Sequence, residues 1–301
     1  MVKATSYLAL FLILFSCRKG YDSNECEPPS SLLNGNVSYI SSTENYSNPC
    51  FNPNNQDEFS FIKWDQGVPE LWVGNIKTNE YFFLDSGVYY TPKWGKNNWI
   101  VYNLLNNEIY IIRPNGSNKK QLTFNSSINT NPNWSPNGDK IVYRSSKDLS
   151  NGYLYIMDTL GNDLERIEIV SGNNPSWSPN GDKIALKNYN GINIYNLVTK
   201  ENKIINADDN SINFNWIGND TLLWEGSSGI SISCLKSNNI TLLSKDCFKK
   251  SYDHPTISVD GKIMCREYIN EIIDDNNVFF KSDLVLFHNI RFDSKEIISI
   301  D

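Results

Sequence analysis

NPNWSPNGDKIVY, residues 131–143, recurs in more and less degraded form along the whole chain. A near copy, NPSWSPNGDKIAL, occupies residues 174–186. Each reads as a short strand ending at a tryptophan, a tight turn on Asn137-Gly138 or Asn180-Gly181, and a second strand of alternating apolar residues. Asn and Gly tolerate the positive φ that two-residue hairpin turns require. With Trp134 and Trp177 as register marks, weaker copies align at Phe51 (NPCFNPNNQDEFSF), Trp94 (TPKWGKNNWIVY), Trp216 (NFNWIGNDTLLW) and Ile257 (HPTISVDGKIMC). The six marks lie 43, 40, 43, 39 and 41 residues apart. A period of about forty built from strand signals indicates propeller blades.

Dividing the repeats into strands gives the architecture. In the third copy the inner strand is 131–135, the second 140–144, the third 153–158 and the outer one 164–169, with Gly161-Asn162 turning between the last two. The second copy supplies 99–103, 108–113 and 120–124, and the fourth supplies 192–197 and 202–205. One such sheet cannot bury both faces alone, so radial stacking is required. The expected fold is all-β: a six-bladed β-propeller of four-stranded antiparallel blades over residues 48–301.

The pattern P-x-W-S-P-x-G-x-x-I followed by a strand of the L-Y-x-M-D type resembles the WD40-like (PD40) repeats of TolB-type six-bladed propellers. Pro132, Trp134, Ser135, Pro136, Gly138 and Ile141 carry it, with Leu154, Tyr155, Met157 and Asp158 downstream. Pro175, Trp177, Ser178, Pro179, Gly181 and Ile184 match it again. The family's namesake has a separate N-terminal domain ahead of its propeller, whereas a segment of 17–47 stands there in this chain, so the chain reads as a relative of the namesake and not the namesake itself.

Residues 1–16 read as a targeting segment: Lys3 precedes an apolar run over 7–15, short of the ~20 residues that a spanning helix needs. Leu14-Phe15-Ser16-Cys17 resembles the lipobox of bacterial lipoproteins, which implies acylation of Cys17; the alternative is an ordinary signal peptide with an incidental cysteine. Residues 17–47 then form a lipid-anchored tether, and within them NVSYIS (36–41) alternates as a ring-closing strand would. The C-terminal stretch 296–300 competes for the same outer position. These features place the protein outside the cytoplasm, anchored to a membrane of the cell envelope. Without Cys17 the cysteines are Cys26, Cys50, Cys234, Cys247 and Cys265, an odd number whose pairing stays open.

A net charge of −7 argues against nucleic acid, whose phosphates demand a basic patch, and against electrostatic docking on anionic lipid. Gly226-Ser227-Ser228-Gly229 has neither the spacing of a nucleophile elbow nor a helix after it. His254 and His288 are the sole histidines, with no H-x-x-x-H or C-x-x-C pair, so neither a metal nor another cofactor is expected. His288 falls within a strand pattern, DLVLFH.

Two groups of residues are the binding candidates. Three positions before each mark stand Asn48, Thr91, Asn131, Asn174, Asn213 and His254, all polar, which would ring the mouth of a central channel. The alternative is local turn capping by the same side chains. Loops between second and third strands emerge on that face and contribute Trp64, Arg144, Lys187, Tyr189, Glu225, Arg266 and Tyr268. The longest of them, 267–282, carries Phe279 and Phe280, and apolar residues in a long exposed loop favour protein contact. The reading is a non-catalytic platform that binds envelope proteins; the alternative is a carbohydrate-active enzyme or a glycan- or small-ligand-binding protein that uses the funnel.

Overall fold

The computed structural model describes residues 38–41, 44–148, 152–170, 172–188, 191–205, 213–226, 229–236, 240–242, 250–258, 263–274, 277–287 and 295–297. Cys17, the targeting segment and His288 lie outside the described residues.

The described residues form small sheets set side by side as in a propeller. A first strand, β1 (Ser38–Ser41), precedes five four-stranded antiparallel meanders. They comprise β2 (Glu44–Asn52), β3 (Asn55–Asp65), β4 (Val68–Asn75) and β5 (Glu80–Ser86), then β6 (Val88–Trp94), β7 (Ile100–Leu104), β8 (Ile109–Ile112) and β9 (Lys120–Gln121). The third holds β10 (Asn129–Trp134), β11 (Lys140–Ser145), β12 (Tyr153–Asp158) and β13 (Asp163–Val170). The fourth holds β14 (Asn173–Trp177), β15 (Lys183–Asn188), β16 (Gly191–Asn196) and β17 (Asn202–Ile205), and the fifth β18 (Phe214–Gly218), β19 (Thr221–Gly226), β20 (Gly229–Cys234) and β21 (Ile240–Leu242). A last sheet joins β22 (Lys250–Ile257), β23 (Ile263–Asp274) and β24 (Asn277–Phe287) to β1 and to β25 (Lys295–Ile297).

This last sheet departs from the expected four antiparallel strands. β1 runs parallel to β24 at Asn277–Phe280, while β25 runs antiparallel to it at Val285–Phe287, so the first and last described strands share one strand edge. The stretch 267–282, expected as a loop, is instead the far half of the β23–β24 hairpin. Its β-branched and aromatic residues suit strands, and each ladder bond adds to a pairing already nucleated between Cys265 and Val285. The first meander also starts earlier than expected, at Glu44 rather than at residue 48.

The turns after the marks differ in kind from two-residue hairpins. Gly138 donates its N–H to Ser135 O at 2.9 Å, Ser135 donates to Lys140 O at 2.8 Å, and φ is positive at Gly138 but not at Asn137. Pro136 explains this, because its ring holds φ near −65°, which suits the first central position of an ordinary turn over Ser135–Gly138 and not of a primed one. Ser178-Pro179-Asn180-Gly181 repeats the arrangement. These turns tie neighbouring sheets together: Asn54 donates to Lys96 O at 3.1 Å, Asn97 to Gly138 O at 2.6 Å, and the Asn180 N–H to Asn219 Oδ1 at 3.0 Å.

The core is divided among the junctions between sheets. Ile62, Leu71 and Val73 of the first meander pack on Val88, Trp94 and Tyr102 of the second, and Val101 and Ile109 of the second pack on Trp134 and Tyr143 of the third. Val142 and Leu154 meet Ile184 and Leu186, Ala185 and Ile192 meet Trp216 and Leu222, and Leu223 and Ile230 meet Ile263 and Cys265. Phe59 and Phe61 then meet Met264, Leu284 and Leu286, which brings the last sheet against the first. Marks Phe51, Trp94, Trp134 and Trp216 are buried, and Trp177 and Ile257 are half-buried, so the periodic aromatic spacing records one apolar side chain per junction.

One outer strand is shorter than its sequence pattern. β9 ends at Gln121 because Thr123 turns inward, where its hydroxyl accepts the Ile109 N–H at 2.9 Å in place of a ladder bond and donates to the buried Glu108 carboxylate. Glu108 also accepts from Asn129 Nδ2 at 3.1 Å and the Ser126 N–H at 3.2 Å, which compensates the burial of its charge.

Candidate channel mouth

The inner strands converge on an axis, and their sequence determines how. An inner strand has one hydrogen-bonded neighbour, so a proline there removes no ladder bond. Pro49, Pro92, Pro132, Pro175 and Pro255 stand two positions before their marks, and the pairing shifts register around them, between Ser47 and Cys50, Tyr89 and Lys93, Thr130 and Asn133, Asn173 and Ser176, and Asp253 and Thr256. At these bulges the residue before the proline takes a left-handed backbone in Asn48 (φ 53°), Asn131 (53°), Asn174 (53°) and His254 (49°). Asn and His are among the few L-residues enriched there, which gives the expected ring a backbone reason besides any ligand. In the second sheet the strained position moves back by one, to Tyr90 (φ 63°) instead of Thr91.

Thr91, Asn131, Asn174, Asn213 and His254 line one narrow cavity of about 20 Å³, with Pro49 standing where Asn48 itself was expected. That is room for a water molecule or a monatomic ion. Asn131 Nδ2 donates to Asn174 Oδ1, joining two sheets across the mouth. Glu225, expected in a loop, is a buried β19 residue that accepts from Asn213 Nδ2 at 3.1 Å and from the His254 N–H. Among the described residues no group of three or more His, Cys, Asp or Glu side chains is placed to hold a metal ion.

The other loop candidates lie mostly in strands. Trp64 belongs to β3, donates its indole N–H to Ser47 Oγ at 3.3 Å and packs at the first junction. Arg144 and Lys187 are half-buried near the mouth-side ends of β11 and β15, and Arg266 is half-buried within β23, opposite Asp253. Tyr268 lies on β23, and Phe279 and Phe280 on β24 beside Ile40 and Ser41 of β1; Tyr189 lies outside the described residues. Alternation alone does not tell a long hairpin from a long loop when its turn residues carry no Gly or Pro, as in Asp274–Asn277.

Three features of the mouth were missed by sequence reasoning. Tyr89 and Tyr90 stand exposed at its rim with ring centroids 4.7 Å apart, and Arg144 is near enough to Tyr90 to act on its hydroxyl electrostatically, against the burial that raises it. Val68 at the start of β4, and Leu105, Phe124 and Ile128 on connections, are exposed on the same face. One position before the marks stands a second tier, Cys50, Lys93, Asn133, Ser176, Asn215 and Thr256, of which Lys93, Asn133, Ser176 and Asn215 line the cavity. Counting from the same marks picks out Lys93 as its one charged member.

Comparison with known proteins follows this geometry. The family model described as PD40, TolB beta propeller domain, matches residues 34–223. A protein TolB homolog of Chlorobium luteolum is 29% identical over 129 residues, which are 41% of this chain and 29% of that protein. This chain thus aligns with less than a third of that relative's length. Among solved structures, TolB from Acinetobacter baumannii superposes with a TM-score of 0.61 at 17% identity, covering 72% of this chain and 58% of its own. The tricorn protease gives 0.65 at 15% identity, covering 86% of this chain and 26% of its own. At these identities the structures attest the fold alone. The sequence match over residues 34–223, together with the sheets and bulged inner strands described above, makes this chain a member of the PD40 family of TolB β-propeller domains.

Proposed function

We propose that this protein is a non-catalytic six-bladed propeller, exported and lipid-anchored through Cys17, that serves as a docking platform for another protein of the bacterial cell envelope. The last sheet is its sixth blade, closed by Ser38–Ser41 and Lys295–Ile297. The observation that carries the docking reading is the exposed Tyr89–Tyr90 pair at the channel rim, with Val68, Leu105, Phe124 and Ile128 also exposed. An exposed aromatic held at positive φ carries a backbone cost that packing does not repay, and such strain concentrates at functional positions. Tyrosine beside arginine is also the composition of interface hot spots.

The test is a cross-linking capture from the native envelope with the processed protein and a Tyr89→Ser/Tyr90→Asn variant. Asn tolerates the left-handed backbone at position 90, so the variant keeps the fold. We expect it to recover at least about tenfold less partner, as truncating a hot-spot pair would. Equal recovery by both proteins, or glycan in place of protein, would sink the reading. Anchoring is checked separately: Cys17→Ser should abolish incorporation of labelled fatty acid and release the protein from the membrane fraction, and unchanged fractionation would refute the anchor.

A further inference from the structure

The second tier of the channel presents a charge without a counter-charge. Lys93 lines the cavity together with Asn133 and Ser176, the corresponding residues of the next two sheets. The remaining lining residues are prolines, other Asn side chains, Thr91, Phe214 and His254, with no carboxylate among them. Among the described residues the Lys93 amine has no ion pair or hydrogen bond, and the side chains of Asn133 and Ser176 are likewise uncommitted. Their neighbours in the tier are satisfied: Asn215 Nδ2 donates to Pro255 O, and Cys50 Sγ accepts the Trp94 N–H at 3.5 Å.

Lys93 is half-buried, and a desolvated ammonium without a partner is costly, a cost that proteins offset by deprotonation or by a bound counter-ion. Here three donors on consecutive inner strands border a space of about 20 Å³, the size for a water or a monatomic ion. Lysine and amide N–H groups and a hydroxyl are donors that suit an anion, and among the described residues no acidic side chain lines the cavity to repel one. We infer that Lys93, Asn133 and Ser176 form a seat for a small monovalent anion of halide size inside the channel.

The seat has a definite pH signature. Burial pushes the Lys93 pKa below its ordinary 10.5, and the nearby Cys50 acts weakly in the other direction. Without an anion, the unfolded chain therefore takes up a proton between the depressed value and 10.5 that the folded chain does not. Stability consequently rises with pH across that window and sits at its lower level beneath it. A bound halide favours the ammonium, so its stabilising effect grows as pH falls through the depressed value. The other titratable groups facing the amine are Cys50 on β2 and His254 on β22, with Glu225 of β19 behind His254, and all three are retained in a Lys93→Met variant.

Chloride is the probe. In 35Cl NMR the wild-type protein should broaden the chloride line, and Lys93→Met should bind about tenfold more weakly or not at all, as expected on loss of a charge-assisted contact. Thermal unfolding in sodium chloride against sodium gluconate at matched ionic strength gives a second readout. The wild-type melting temperature should be higher in chloride, by mass action on the folded state, and the gain should widen toward lower pH. Lys93→Met should melt alike in both salts and above wild type in gluconate, because it removes an uncompensated charge. If Lys93→Met does not fold, Asn133→Ala and Ser176→Ala, which keep the lysine, should each weaken chloride binding. Equal broadening by wild type and the variants, or a wild-type melting temperature indifferent to chloride, would overturn the inference.

Discussion

Trp134→Ala is expected to lower stability by about 3–5 kcal/mol, the range for emptying a buried large aromatic site. Trp134 is 5% exposed and fills the junction between the second and third meanders, against Val101, Ile109, Ile111 and Leu122 on one side and Ile141, Tyr143, Tyr155 and Met157 on the other. The opposing backbone is moulded to the ring: a Cβ added at Gly95 would lie 2.8 Å from Trp134 Cγ and Cδ1. Such a site cannot collapse, because both walls are β-sheets held in register by their own ladders, so the cavity persists and its cost is near the upper end. The indole N–H contributes nothing to offset this, as Nε1 is buried without a hydrogen-bond partner. Trp134→Phe should for that reason cost under about 2 kcal/mol, since it discards an unsatisfied donor together with part of the packing. Denaturant titration at unchanged m-value measures both. A loss below about 1 kcal/mol for Trp134→Ala, the ordinary size for a surface change, would show that the mark does not carry the junction.

Gly161→Ala is expected to cost about 2–4 kcal/mol, from a backbone term and a contact term that can be separated. Gly161 has φ +95°, and a Cβ there would stand 2.4 Å from the Leu122 carbonyl oxygen of the preceding sheet. Because the obstacle is backbone, relief requires the turn and the neighbouring sheet to move apart. Gly181→Ala isolates the first term: its φ is +78°, but the nearest atoms to an added Cβ are on Pro136 at 3.8 Å, an ordinary contact. That control should lose only the ~1–2 kcal/mol of a left-handed L-residue. Equal losses for the two variants would mean that the approach of Gly161 to Leu122 has no energetic weight.

Much of this architecture was legible in the sequence because it is encoded locally. Lys140–Ser145 and Tyr153–Asp158 alternate with the strand period, and Pro-Asn-Gly and Gly-Asn mark the reversals on either side, so the repeat and its phase could be read without a partner in view. The polar ring three residues before the marks followed from the same count. What the count could not provide was backbone conformation: the bulge at Asn-Pro depends on the inner strand having one neighbour, and it displaced the strained residue to Tyr90 in the second sheet.

The amino-acid sequence by itself determined the repeat, the strand-forming segments and the apolar mark of each junction, because each needs only neighbours within about forty residues. The tertiary structure alone decided that Ser38–Ser41 and Lys295–Ile297 share one edge of β24, and that 267–282 continues a hairpin instead of leaving it as a loop. It alone set Lys93 beside Asn133 and Ser176, since those side chains lie 40 and 43 residues apart and meet only where inner strands converge on a common axis. Pairing partners and the charge balance of a shared channel depend on what ring closure places opposite a residue, and no local pattern specifies that.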